Sequence, residues 1–114
     1  MPTFKLSILS PSGKAFDGEA DSVTVPGREG NLGVLYQHAP MIAALRPGIS
    51  TAKTDGQVAV FYTGEGVIEV SHGEVILLVD EAERVEKAED ASHLLRQRMD
   101  RQAAMNAGGT GGGP

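Results

Sequence analysis

The chain contains no cysteine, so it forms no disulfide, holds no thiolate-bound metal and uses no catalytic thiol. Tryptophan is also absent, and aromatics make up only 4% of the residues. Sugar sites and single-strand nucleic-acid sites usually rest on exposed aromatic platforms, so both readings are weakened. Nor is there a surplus of positive charge. Ten Lys and Arg stand against fifteen Asp and Glu, a formal net charge of −5. Phosphate backbones attract clustered Lys and Arg, so nucleic acid is not an expected partner. No apolar run approaches the ~20 residues that span a bilayer. Met1-Pro2-Thr3-Phe4-Lys5 passes straight into strand-like alternation, so neither direct membrane insertion nor a leader peptide is expected. The 114 residues suffice for one domain with one core.

Turn residues, by contrast, are frequent. Over Val23–Ile49 they recur at short intervals between brief apolar runs. Gly27, Gly30 and Gly33 lie three apart, and Pro26, Pro40 and Pro47 punctuate the rest. Such spacing belongs to a chain that reverses direction repeatedly. Phe4, Leu6 and Ile8 alternate with Lys5 and Ser7, the period of a half-buried strand. Further strand-like runs cover Ala20–Val25, Leu32–Leu35, Met41–Leu45, Ile49–Lys53, Gln57–Tyr62, Val67–Ser71 and Glu74–Val79. Asp55-Gly56 is a strong hairpin signal between two of them. Many short strands with no crossover helix predict a mainly β fold, an antiparallel β-sandwich of about 8–10 strands. The run Val75–Val79 is apolar at every position. A strand apolar on both faces needs cover on both. The sandwich core covers one face; a C-terminal helix or a partner protein must cover the other, which makes Ile76 and Leu78 candidate interface residues.

From Ala88 the period changes. Ala88, Ala91, Leu95, Met99 and Ala103 recur at three- and four-residue steps, as on one face of a helix. Glu86, Glu89 and Asp90 come early and Arg96, Arg98 and Arg101 late, an order that complements the helix dipole. Asp80-Glu81-Ala82-Glu83 also fits a capping box, which would start the helix eight residues sooner. The expected organisation is a sandwich over 1–87, one helix over 88–106 and a flexible glycine-rich tail over 107–114.

Catalytic chemistry is hard to find. Gly13-Lys14 is followed by Ala15, so there is no phosphate loop. Gly64-Glu65-Gly66 begins like a dinucleotide fingerprint, but Glu69 occupies the sixth place; a turn or bulge is the simpler reading. His38, His72 and His93 show no metal-ligand spacing, and no nucleophile elbow is present. Asp17, Glu19 and Asp21 alternate, as a solvated strand face would. No catalytic, cofactor or metal residue is therefore assigned. His38 reads either as a loop histidine bonded to a backbone carbonyl beside Pro40 or as part of a contact loop.

The segment Val25–Gly27, Gly30, Leu32–Leu35, His38–Pro40 and Leu45–Gly48 resembles the N-terminal sandwich of the epsilon subunit of F-type ATP synthases. That family carries Val-Pro-Gly-x-x-Gly-x-Leu-Gly-Val-Leu, then His-Ala-Pro, then Leu-x-Pro-Gly. Phe16-Asp17-Gly18, Val67–Val70 and Leu78–Arg84 resemble further family elements, so the likeness spans roughly 3–88. The resemblance places an extended return segment at Glu81–Glu86. It implies a non-catalytic central-stalk part that binds the gamma subunit and the membrane ion-carrying ring, with alpha and beta subunits as further candidate partners. It implies a peripheral position at the cytoplasmic face of a bacterial inner membrane. The ring-facing loop would be Arg28, Glu29, Gly30, Asn31 and Leu32.

Several residues depart from that pattern. Tyr36-Gln37 stands where Pro-Gly commonly precedes the histidine, Thr63-Gly64-Glu65-Gly66 where Ser-Gly-Gly is usual, and Asn31 where glutamate is frequent. The family's helix motif for ATP sensing aligns with Ala88–His93, with Ser92 in place of its arginine, so nucleotide binding is not carried over. Two alternatives belong to other classes: a metal- or small-ligand-binding jelly roll, which would need clustered His and carboxylates, and a free-standing adaptor sandwich.

Overall fold

The computed structural model describes residues 2–112, with side chains over 2–106. Ten strands precede one helix: β1 (Phe4–Ser10), β2 (Gly13–Ala20), β3 (Ser22–Gly27), β4 (Gly30–Leu35), β5 (Met41–Leu45), β6 (Gly48–Thr54), β7 (Gln57–Thr63), β8 (Gly66–Ser71), β9 (Glu74–Val79), β10 (Ala82–Val85) and α1 (Ala88–Gly112). The expected mainly β sandwich with one helix is borne out. Strands run in the order β10-β7-β6-β3-β5-β8-β9-β1-β2, with β4 added to β3. The β3–β5 link is a single pair, Gly27 with Leu45. The sheet folds over at that point into two layers, β4-β3-β6-β7-β10 and β5-β8-β9-β1-β2.

Alternation along the strands decides what lies between the layers. Phe4, Leu6 and Ile8 of β1, Val23 and Val25 of β3, Phe61 of β7, Ile68 and Val70 of β8, and Val75 and Leu77 of β9 form one continuous core. Fully burying a side chain such as Leu6 or Phe61 stabilises the fold by roughly 1.5–3 kcal/mol. Phe16 of β2 meets Phe61 edge-on across the layers, with ring centroids 5.9 Å apart. Inside the core, the Ser50 and Thr63 hydroxyls are buried and 2.7 Å apart, each satisfying the other.

One pairing departs from the antiparallel expectation. β1 lies parallel to β9, Lys5–Leu9 against Glu74–Leu78. The strand that begins the chain thus sits inside its layer, between β9 and β2. The carboxylate series also needs correction. Asp17 and Glu19 are exposed, but Asp21 is buried where the chain crosses from one layer to the other. Its Oδ2 accepts a hydrogen bond from the Asp55 amide at 3.0 Å. Asp55 has φ +51°, and this bond holds the β6–β7 hairpin turn.

α1 begins at Ala88. Asp90 reaches back to accept from the Lys87 amide at 3.2 Å, half of a capping box; Asp80–Glu83 forms no helical turn and instead leads into β10. The helix continues to Gly112, not to Asn106 as expected, so within the tail predicted over 107–114, residues 107–112 are helical in backbone. Residues 113 and 114 lie outside the described part of the chain.

Candidate interaction surfaces

The β3–β4 hairpin forms the first surface. Gly27 pairs with Gly30 across a two-residue turn of Arg28 and Glu29. Gly30 takes φ +136°, a conformation open to glycine and strained for other residues. A Cβ on Gly27 would collide with the Gly30 carbonyl oxygen. Gly33 has neither constraint: its φ is ordinary and a Cβ there would meet open space. The turn therefore rests on two glycines, not three. Arg28, Glu29, Gly30 and Asn31 are exposed, while Leu32 turns inward and packs against the core, because alternation on β4 aligns it with Val34. The Arg28 amide donates to the Ala44 carbonyl at 2.9 Å, and Arg46 donates to Pro26 at 2.9 Å. These bonds pin the tip to β5.

The second surface is the outer face of the β5-β8-β9-β1 layer. Ala44, Val67, Leu78 and Leu9 stand opposite one another in successive strands, and Ile42, Glu69, Ile76 and Ser7 form the next rung. Ile42 is 69% exposed and Leu78 48%. Ile76 and Leu78 share this face, as adjacent rungs must. The helix does not cover them. Its partners are Val60, Tyr62, Ile49 and Val85, on β6, β7 and β10 of the opposite layer. Of the two covers open to β9, the helix is thus excluded among the described residues. The rung of Ala44, Val67, Leu78 and Leu9 is apolar throughout, while the next carries Glu69 and a buried Ser7.

His38 lies apart from both. Its Nδ1 is 2.8 Å from the Ala39 carbonyl, the ordinary loop role, and it shares a cleft of about 500 Å³ with Tyr36, Gln37, His72 and Gly73. Gln37 takes φ +66°, so the position where the epsilon pattern has glycine is left-handed here with a side chain. Among the described residues, no group of three or more His, Asp or Glu could hold a metal ion. Among the same residues, no helix is long and apolar enough to cross a membrane.

The helix anchor was not foreseen from the sequence. Arg98 Nε donates to both Glu81 oxygens, at 2.9 and 3.0 Å, and Nη2 adds a third bond. The guanidinium also lies 5.8 Å from the Tyr62 ring centroid. Hydrogen bonding by Arg98 holds the Glu81 carboxyl below its ordinary range, and the same contact holds Arg98 more firmly charged. Burial, reinforced by Glu81, pushes the Tyr62 hydroxyl up. Met99, expected to dock, is 61% exposed. A cleft of about 270 Å³ lined by Pro47, Tyr62 and Arg98 lies beside it. Among the described residues, the helix is thus fully buried at Ala91 and half-buried at Leu94 and Leu95.

Residues 3–85 match the model of the ATP synthase delta/epsilon chain β-sandwich domain. The chain belongs to this family. It is 45% identical over 82 residues to an ATP synthase epsilon chain of Bradyrhizobium sp. (strain ORS 278), covering 72% of this chain and 61% of that one. It is 34% identical over 107 residues to an epsilon chain of Desulfitobacterium hafniense (strain Y51), covering 93% and 81%. The chain thus spans about three fifths of the Bradyrhizobium relative, 61%. A similar fold occurs in a cryo-EM structure of the Euglena gracilis mitochondrial ATP synthase OSCP/F1/c-ring, with TM-score 0.69, 22% identity and coverage of 87% of this chain and 66% of that chain. The Tetrahymena thermophila central stalk/c-ring structure gives TM-score 0.60 at 11% identity, covering 85% and 90%. Within the delta/epsilon sandwich, the match ends at residue 85, the last residue of β10, so α1 stands outside it.

Proposed function

We propose that the chain is a non-catalytic central-stalk subunit of the epsilon type in an F-type rotary ATP synthase. It couples ion transport to ATP synthesis or hydrolysis, while catalysis belongs to the alpha and beta subunits. The observation that carries this reading is the family match over the whole sandwich, together with two surfaces left uncovered at the places an assembly part would use. Ile42, Ile76, Leu78 and Val67 would receive the gamma subunit. Arg28, Glu29, Gly30 and Asn31 would rest on the polar loops of the membrane ring, and His38, which lies apart from the tip, has no part in that contact. The subunit would sit peripherally at the cytoplasmic face of a bacterial membrane.

Ser92 replaces the arginine of the family's ATP-sensing motif, so we assign no nucleotide site. The test uses the assembled complex and Gly30→Val. A side chain at φ +136° strains the tip while the core is untouched. ATP-driven ion pumping should fall relative to hydrolysis, with the sandwich still folded by circular dichroism. Pumping that matches wild type in a complex with a demonstrably altered tip would refute the assignment.

A further inference from the structure

The β7–β8 turn holds an exposed carboxylate at the same end of the sandwich as the hairpin tip. Arg28 Nη2 lies 3.4 Å from Glu65 Oε2, and the two side chains are 65% and 63% exposed. An ion pair this open contributes little to folding, so stability does not account for it. The position of Glu65, in contrast, is tightly set. A Cβ on Gly64 would collide with the Asp80 carboxylate, and one on Gly66 with the Leu78 carbonyl oxygen. Gly64 donates to the Glu81 carbonyl at 2.8 Å, and Asp80 donates to the Glu65 carbonyl at 2.9 Å. Gly66, closed by the β9 backbone, and Gly64, crowded by the Asp80 carboxylate, thus flank one charged residue on a tightly bonded turn. The tip itself offers Asn31, which is uncharged, and Glu29, which has no hydrogen-bond partner among the described residues. Arg28, Glu29 and Glu65 together leave the tip one charge negative.

We propose that the β7–β8 turn is the second half of the ring-facing surface, and that Glu65 is a specificity-determining contact for a cationic side chain on the ring's polar loop. Arg28 holds the carboxylate in position until that cation arrives and then shares it. This rests on the ring-facing reading given above. Exposed charges of this sort act on association rate and salt dependence more than on folding.

The experiment measures binding of the full chain to the purified ring and, separately, to the gamma subunit, from low to high salt. Wild type, Glu65→Gln and Arg28→Gln are compared. Glu65→Gln should lose about fivefold in affinity for the ring at low salt and show a flatter salt dependence. Its melting temperature and its affinity for gamma should match wild type. A Glu65→Gln chain that binds the ring as wild type does, while Arg28→Gln is weakened, would overturn the proposal and leave the hairpin as the whole surface. A loss seen toward gamma instead of the ring would also overturn it. If wild type itself fails to bind the ring, the ring-facing reading falls, an outcome distinct from the other two.

Discussion

Fifteen buried apolar side chains fill the sandwich, whereas three buried residues, Val60, Tyr62 and Ala91, mark the seam between sheet and helix. The sandwich core is continuous across both layers and is closed by paired strands. The helix seam is a satellite patch finished by one ion pair, Arg98 with Glu81. Beyond Arg98 the helix carries Met99 and Met105 exposed and continues to Gly112. Regions with few buried contacts open at lower free energy than the core they rest on. The two parts of the chain therefore have different thresholds, and α1 can part from the sheet while the sandwich stays folded.

The largest effect is expected in the sandwich. Phe61→Ala removes a fully buried ring that meets Phe16 and lies below the Arg84 guanidinium. It should cost about 3–5 kcal/mol, read as a lower urea midpoint for the whole chain. A shift confined to helix signals would contradict a single shared core. A smaller and local effect is expected at the seam. Ala91 is fully buried against Val60 and Tyr62, so Ala91→Asp places a charge where no partner waits. Hydrogen exchange across Ala88–Arg98 should speed up by about tenfold or more, while strand amides keep their protection. Loss of protection in β6 and β7 to the same extent would show that the two regions unfold together.

The smallest effect concerns pH. The Glu81 carboxyl titrates lower in the folded chain than its ordinary value of 4.5, through its bond to Arg98. A group with a depressed folded pKa stabilises above its unfolded pKa, and that contribution is lost as pH falls through the folded one. Helix attachment should therefore weaken only in acid below about pH 4.5, by no more than ~1 kcal/mol given the exposure of the pair. Helix exchange rates measured down that range should show the step in wild type and not in Arg98→Met. An equal step in the variant would assign the acid response to another group.

Much of the sandwich was legible because one chemical rule, alternation, governs it. The runs at Phe4–Ile8, Val23–Val25 and Val67–Val70 each announce a strand with a core face. The Arg28–Gly30 turn was equally legible from its glycines. Other features depend on partners distant in sequence. Asp21 looks like its neighbours Asp17 and Glu19 until the chain crosses between layers beside Asp55. The Glu81–Arg98 pair joins a strand approach to a helix, and no local period records it. The seam's shortness was hidden for a related reason. The helical stripe continues through Met99 and Ala103, but the sheet beneath it ends first. The turn at Gly64 was legible, yet only the close approach of the β9 backbone at Leu78 shows why Gly66, the first residue of β8, admits no side chain.

The parallel pairing of β1 with β9 carries a consequence for how the molecule is made. Lys5 finds its partner Glu74 only after the chain has grown by about 70 residues, a long-range closure of the kind that slows folding. At about 5–20 residues per second, the first strand leaves the ribosome some seconds before β9 exists. Until then β1 is paired along one edge only, by β2. The nascent protein accordingly passes through an interval with an open apolar edge, and the ninth strand's arrival is the event that ends it. Slowing translation between β8 and β9 would lengthen that interval and raise the share of chain lost to aggregation, with no change in the finished fold.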